Sequence, residues 1–287
     1  MYASPPNFQK VVEFISEIWS YSKLNTFETC PYAYWLNYVA KDPPINEENA
    51  FSQYGSFVHE ILEKYFKGEL ELFELSTEYE DNFDDNILLD FPYCESHGRV
   101  IDLCESYHDK GLAYLENFDG LPEYKILGVE EDFVIEILNG EKLRGFIDLI
   151  LEDKNGNIIV LDHKSKSKFK SKEEQKHYSF QPVLYSIYVH EKYGKWPDRV
   201  VFNMFRQQKY VKIKFTQELL QEALNWVEST ISKIYSCEDF LPKFTKKEKE
   251  EMLYFCRNIC GYKSSCKHQL DYIDENGEIK MFGVDAT

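Results

Sequence analysis

The tightest constraint on this chain lies in residues 143–168, LRGFIDLILEDKNGNIIVLDHKSKSK. Two apolar, β-branched runs, GFIDLILE and NIIVLDHKS, flank Asp153-Lys154-Asn155-Gly156-Asn157. Turn residues between two such runs specify a β-hairpin. Each run carries one aspartate, Asp148 and Asp162, where alternation would place another apolar side chain. A carboxylate in a buried strand costs free energy unless it is paired or binds a metal, so two on neighbouring strands need one explanation. A divalent cation supplies it, since oxygen ligands suit Mg2+ or Mn2+. Lys164 stands two residues beyond Asp162 and points to the same face by the strand period of two. That puts an ammonium where a metal-activated water or a phosphate oxygen would sit. The competing reading is a surface hairpin whose aspartates and lysine pair in solvent.

Composition narrows the functional classes. The 287 residues are 43% hydrophobic and 16% aromatic, enough for a sizeable core in one large or two small domains. No stretch approaches the roughly 20 apolar residues of a membrane span, and the opening MYASPPNFQK lacks a basic segment followed by an apolar one. An intracellular protein without a membrane segment is expected. The net charge of −17 argues against nonspecific coating of nucleic acid, which relies on Lys and Arg neutralising phosphate. A local groove is compatible with it. Residues 164–176, KSKSKFKSKEEQK, hold six lysines and two glutamates, and Lys166, Lys168, Lys170 and Lys172 are candidates for tracking a DNA backbone. Standing alone, such a run would be a solvated loop. A second basic run, KFTKKEK at 243–249, is less specific, and no G-x-x-x-x-G-K-[ST] motif points to ATP-driven unwinding.

In chain order, a helical pattern opens at Tyr21 with Ser22 as N-cap and Leu24, Phe27, Tyr34, Leu36 and Tyr38 as buried positions, interrupted at Cys30-Pro31. A helix over 51–67 carries Gly55 and His59 four apart on one face, where the glycine permits close backbone approach. Residues 70–95 are acidic and aromatic, suiting a helical insertion or a partner-facing surface. One long helix is predicted over 97–118, with Cys94 and Cys104 structural. A Gly-Leu-Pro break then precedes a strand, ILGVEEDFVIEIL. After the lysine run, a helix over 178–193 puts Gln181 and Tyr185 on one face, placed to hold a phosphate or the lysine by hydrogen bonds. A strand pair, RVVFNMFRQ and KYVKIKF with Gln208 near its turn, and a helix over 217–235 complete an alternation that predicts an α/β fold with α/β/α layering.

Seven cysteines in an intracellular acidic chain are not expected to form disulfides, and the group Cys256, Cys260 and Cys266 suggests a metal or cluster. Three ligands want a fourth. Four thiolates suit a structural zinc, with His268 as a spare ligand, or an iron–sulfur cluster.

The order of His59 in GSFVHEILEKY, Asp148, Asp162-His163-Lys164 and Gln181-Pro-Val-Leu-Tyr185 resembles the RecB-like branch of the PD-(D/E)XK nucleases, over about residues 20–268. That branch includes the iron–sulfur nucleases of CRISPR adaptation and the AddB recombination subunit. The resemblance implies a restriction-endonuclease-like α/β/α core with a central mixed sheet at 121–240. A helical N-terminal region at 1–120, holding Cys30 and His59, and a C-terminal cysteine region at 241–287 would complete it. It implies catalytic roles for Asp148, Asp162, Lys164, Gln181 and Tyr185, with Glu130 as a supporting acid for which Glu131 competes. It also implies Mg2+ or Mn2+ held by His59, Asp148, Asp162 and the backbone carbonyl of His163. The phrase YSKLNTFETCPYAYWLNYV is similar to the family's opening segment, in which the cysteine is a cluster ligand. Cys30, Cys256, Cys260 and Cys266 are thereby implied to hold a 4Fe–4S cluster, zinc being the alternative. Relatives have two residues between the first two C-terminal cysteines, whereas this chain has three.

The activity implied is metal-dependent hydrolysis of DNA phosphodiester bonds, as an exonuclease on single strands or duplex ends. The setting implied is recombination or CRISPR adaptation with a protein partner, or a stand-alone phage enzyme. The alternative is a DNA-end binding subunit with little cleavage, which the acidic 70–95 segment would favour as a partner-facing surface.

Overall fold

The computed structural model describes residues 18–96, 98–242 and 252–268. The start of the N-terminal lead-in and the basic run at 243–249 lie outside the described residues.

Local signals fix most element ends. After the short strand Ile18–Trp19 (β1), Ser20 accepts the Lys23 N–H and opens Tyr21–Thr29 (α1), so Ser20 takes the cap expected at Ser22. Cys30 ends α1 and opens Pro31–Tyr38 (α2), where Pro31 takes a first-turn position with no donor to lose. Leu24, Phe27, Tyr34 and Leu36 are buried as expected, but Tyr38 is 38% exposed. Asn49 and Ser52 form a capping box for Ala50–Phe66 (α3). The acidic stretch folds as Leu75–Asn86 (α4), which buries Leu75, Tyr79 and Phe83 and leaves its carboxylates outward.

The single helix predicted over 97–118 does not form. Gly98, at φ 73°, turns a strand pair, Cys94–Ser96 (β2) and Arg99–Ile101 (β3), and Asp102 then accepts the Glu105 N–H to start Leu103–Glu116 (α5). Cys94 is buried while Cys104 faces outward, so only the first fits a core role. Gly111 is required on α5, since a Cβ there would stand 2.3 Å from the Tyr79 hydroxyl. The remaining elements are Lys125–Glu136 (β4), Lys142–Glu152 (β5), Ile158–Lys164 (β6), Lys172–Tyr193 (α6), Arg199–Met204 (β7), Lys209–Lys214 (β8) and Gln217–Tyr235 (α7). Helix α6 begins at Lys172 rather than Tyr178 because Ser171 caps it within the lysine run.

The sheet is mixed. β5 pairs antiparallel with β4 along one edge, and β6, β7 and β8 continue outward, β6 and β7 parallel and the other pairs antiparallel. The second edge of β5 is shared: β1 lies parallel to it at Lys142 and Leu143, and β6 takes it from Leu149 to Glu152. Between these two pairings β5 and β6 part, and Asp148 sits at the fork. Apolar residues cover both faces. Leu24, Val183 and Val227 pack on one side with Val160 and Val200, and Ile61, Tyr79 and Leu115 pack on the other with Leu151 and Leu161. The result is an α/β/α sandwich with α1, α2, α6 and α7 on one face and α3, α4 and α5 on the other. Among the described residues no helix is long and apolar enough to cross a membrane.

Candidate active site

The fork gathers the predicted carboxylates. Asp148 fills the gap that a strand partner would occupy, its Oδ2 accepting the His163 N–H at 2.6 Å. Glu130 lies opposite Asp148 in β4, between the registered pairs Val129 with Leu149 and Glu131 with Ile147. Its φ of 48° is in the left-handed region, a strained setting for a residue with a Cβ. Glu131 is instead held by the Tyr188 hydroxyl and the Lys192 ammonium, each at 2.6 Å, so of the two competing glutamates Glu130 joins the site.

His59 reaches the same point from α3. Its Nε2–H donates to the His163 carbonyl at 3.0 Å, which leaves Nδ1, 3.6 Å from Asp148 Oδ2, as the free ring nitrogen. Ligand atoms of His59, Glu130 and Asp148 all lie within 4.8 Å of one another. Gly55 does not force the approach of α3, because a Cβ there would stand 3.5 Å from the Ser165 hydroxyl, an ordinary contact.

Asp162 and Lys164 enter on the face covered by α6. The Lys164 ammonium is 2.7 Å from Asp162 Oδ2 and donates to Gln181 Oε1 at 3.2 Å, and Gln181 Nε2 donates to the Tyr185 hydroxyl at 3.3 Å. Gly145 makes room for this file: a Cβ there would stand 2.5 Å from the Tyr185 ring and 2.6 Å from the Phe133 ring. Lys164, Gln181 and Tyr185 thus form one hydrogen-bonded chain on the α6 side, with Gln181 and Tyr185 on one helical face as their spacing predicted and holding the lysine rather than standing free.

The electrostatics suit a bound cation. Burial, with Asp148 and Glu63 nearby, pushes Glu130 up to about 7. Burial, opposed by Lys164 and reinforced by Asp148, also raises Asp162. Burial works against the Lys164 charge, but Asp162 and Asp148 outweigh it and hold the ammonium above its ordinary value. Burial pulls His163 down to about 3, so its ring is neutral. Carboxylates crowded until one retains its proton near neutrality form a site that a divalent cation would relieve, and imidazole with carboxylate oxygens matches Mg2+ or Mn2+. These residues fit such an ion. The His163 carbonyl, expected to face a metal, is engaged with His59.

The lysine run divides. Lys166 pairs with Glu174 at 3.0 Å and lies over the Tyr178 ring, so it is tied to α6, while Lys172 starts that helix. Lys170 donates its backbone N–H to Glu174.

At the far end of α1, Cys30 lines a pocket with Cys256, Cys260, Cys266 and His268. Cys256 and Cys260 are joined through a π-helical turn, Phe255–Ile259, closed by Cys260 N–H to Phe255 O at 2.8 Å. Burial, then the neighbouring thiols, pushes Cys256 up to about 12, and burial pushes Cys30 up to about 11. The segment is tied across the chain by Tyr262 to Asn37, Asn49 to the Ile259 carbonyl and the Glu47 N–H to the Gly261 carbonyl. Gly261 is needed there, since a Cβ would stand 2.8 Å from the Glu47 carbonyl.

Sequence reasoning missed Asn203, a buried amide in β7 that contacts the His163 ring at 2.8 Å. The signal was present as a polar residue inside RVVFNMF.

Among solved structures, the chain is similar to a protein from Eubacterium rectale provisionally named an exonuclease, at 17% identity and a TM-score of 0.46 over 82% of this chain and 88% of that one. It is also similar to SSO0001, at 14% identity and a TM-score of 0.37 over 92% of this chain and 93% of that one. Comparison with curated proteins found no match. The family model of the PD-(D/E)XK nuclease superfamily matches residues 18–267, and with that span covering both strands of the fork and the helices on either side of it, the chain belongs to that superfamily.

Proposed function

We propose that this protein is a divalent-metal-dependent deoxyribonuclease acting as an exonuclease on single-stranded DNA or DNA ends. The observation that carries the reading is the convergence of His59, Glu130 and Asp148 within 4.8 Å, beside the buried Asp162 carboxylate and its partner Lys164. Bound there, Mg2+ or Mn2+ would supply Lewis acidity that lowers the pKa of a water and offsets phosphate charge. His59, Glu130, Asp148 and Asp162 would hold the ion. Lys164, kept protonated by Asp162, would donate to an oxygen of the scissile phosphate, where negative charge grows in the transition state. Gln181 and Tyr185 fix the lysine's direction, and Tyr185, pushed up to about 12 by burial, remains a neutral donor.

The four cysteines are proposed to hold a 4Fe–4S cluster. Buried thiols with raised pKa values have little reason to gather unless a soft metal centre deprotonates them. The resemblance to iron–sulfur nucleases favours the cluster over zinc, and its role here would be to fasten the C-terminal segment to α2 and the loop before α3.

Cleavage of end-labelled single- and double-stranded DNA by anaerobically purified protein, with Mg2+, Mn2+ or EDTA, tests the nuclease. Metal-dependent degradation lost in Lys164→Ala is the expected result. Tight DNA binding with no cleavage under any metal would replace the reading with a DNA-end clamp.

A further inference from the structure

We propose that Asn203 is a positioning residue for the metal centre, acting through His163. The inference rests on the metal-dependent reading above and adds to it a residue outside the nuclease signature. His163 is the hub that orients two of the proposed ligands through its backbone, while its ring stands edge-on to the His59 ring with centroids 5.5 Å apart. Its backbone N–H donates to Asp148 Oδ2 at 2.6 Å, and its backbone carbonyl accepts from His59 Nε2 at 3.0 Å. The second contact fixes the His59 tautomer, because a carbonyl can only accept, and so assigns Nδ1 as the nitrogen available to an ion. A carbonyl or carboxylate behind a ligating histidine commonly sets ring orientation in this way.

What holds His163 itself is its ring, and the ring is anchored by Asn203. Asn203 Nδ2 lies 2.8 Å from His163 Nδ1 and 2.6 Å from the Tyr114 hydroxyl, with Asn203 only 1% and His163 only 3% exposed. The amide hydrogens thus bridge β6 to α5 through β7, at the register position where Asn203 lies beside His163 in the parallel pair. Without the amide contact on its ring, the end of β6 past its last pairing with β5 at Leu161 would rest on its backbone pairing with β7 alone. A small rotation there would move the N–H and carbonyl that aim Asp148 and His59.

The test is a set of Mn2+ binding isotherms on the full chain, read from free Mn2+ by electron paramagnetic resonance. Loss of wild-type binding in Asp148→Ala reports on the underlying metal site, so that its failure is separable from failure of this inference. Asn203→Leu is expected to weaken Mn2+ binding by about tenfold or more, the usual consequence of removing a support of this kind. Tyr114→Phe, which leaves the Asn203 amide on the His163 ring, should stay within about twofold, separating positioning from loss of stability. In a His163→Phe background, Asn203→Leu should add no further loss, since its route to the ligands is already gone. Wild-type affinity in Asn203→Leu, equal weakening in Tyr114→Phe, or additive losses in the double variant would each overturn the proposal. If Asn203→Leu does not fold, His163→Phe decides alone: it keeps the backbone contacts and loses the anchor, and undiminished affinity refutes the role.

Discussion

Replacing Glu130 with glutamine should make the metal-free protein more stable above neutral pH and less able to bind a metal. In the folded protein the Glu130 carboxyl is pushed from its ordinary 4.5 up to about 7 by burial and then by Asp148 and Glu63. The folded state therefore binds the proton more tightly than the unfolded chain. That contribution is full below about pH 4.5 and is lost as the pH rises through about 7. At about 1.4 kcal/mol for each pH unit, the interval sets an upper bound near about 3.4 kcal/mol. Because the carboxyl is only half-buried, solvent screening reduces this to about 1–2 kcal/mol. Glutamine carries no charge at any of these pH values. Urea unfolding in EDTA should thus show Glu130→Gln about 1–2 kcal/mol more stable than wild type at pH 8, converging with it below about pH 4.5. Millimolar Mn2+ should stabilise the wild type more than the variant at pH 8, since an ion that binds only the folded state adds stability by mass action. A stability difference that does not change with pH, or one of opposite sign at pH 8, would refute the argument that burial and the neighbouring carboxylates hold the Glu130 proton in the folded protein.

The remaining predictions are more direct. Lys164→Ala and Asp162→Asn should each lower cleavage by roughly a thousandfold with native circular dichroism; retained activity in either would remove that residue from the chemistry. Asp162→Ala should in addition lose about 1–3 kcal/mol of stability, because it leaves the partly buried ammonium without its carboxylate, and an unchanged urea midpoint would contradict the pairing. Gly145→Ala drives a methyl into the Tyr185 and Phe133 rings, so a loss of about 1–3 kcal/mol with slower cleavage is expected, and a silent substitution would show that the file has slack. Anaerobic protein should be brown with absorbance near roughly 400 nm, from thiolate-to-iron charge transfer. Cys256→Ser should bleach it, whereas a colourless, zinc-loaded preparation would overturn the cluster.

How much of this was legible in the sequence follows from what each residue has to do. Asp148, Asp162 and Lys164 stood out because a charged side chain in an apolar strand violates its local pattern, and the Asp153 to Asn157 turn set their strands side by side. The Gln181 and Tyr185 pair follows from helical spacing alone. Glu130 against Glu131 was not decidable, since alternation cannot foresee the left-handed residue that turns Glu130 to the fork. The strand pair at 94–101 was hidden because a helix predicted over 97–118 extends the helical spacing that starts at Ile101 back to 97, past the turn at Gly98 and the Asp102 cap. Asn203 broke the same rule as the aspartates but is uncharged, so its burial is cheaper and its signal weaker. The engagement of Lys166 with Glu174 depends on where α6 begins, which Ser171 decides.

The clamp that the C-terminal cysteine segment places on the loop before α3 bears on the order of assembly. Every side chain proposed for catalysis or for holding Mg2+ or Mn2+, from His59 to Tyr185, precedes residue 186 in the chain. The contacts that fasten the start of the His59 helix, from Asn49 to Ile259 and from Glu47 to Gly261, span more than two hundred residues. During synthesis from the N-terminus, the sheet and its two helical layers can close while that helix cap still lacks its partner. The fastening of α3 is a long-range loop closure and therefore among the last events of folding. A nascent chain thus carries a nearly complete set of the proposed site residues before the N-terminal end of the helix that bears His59 is tied down.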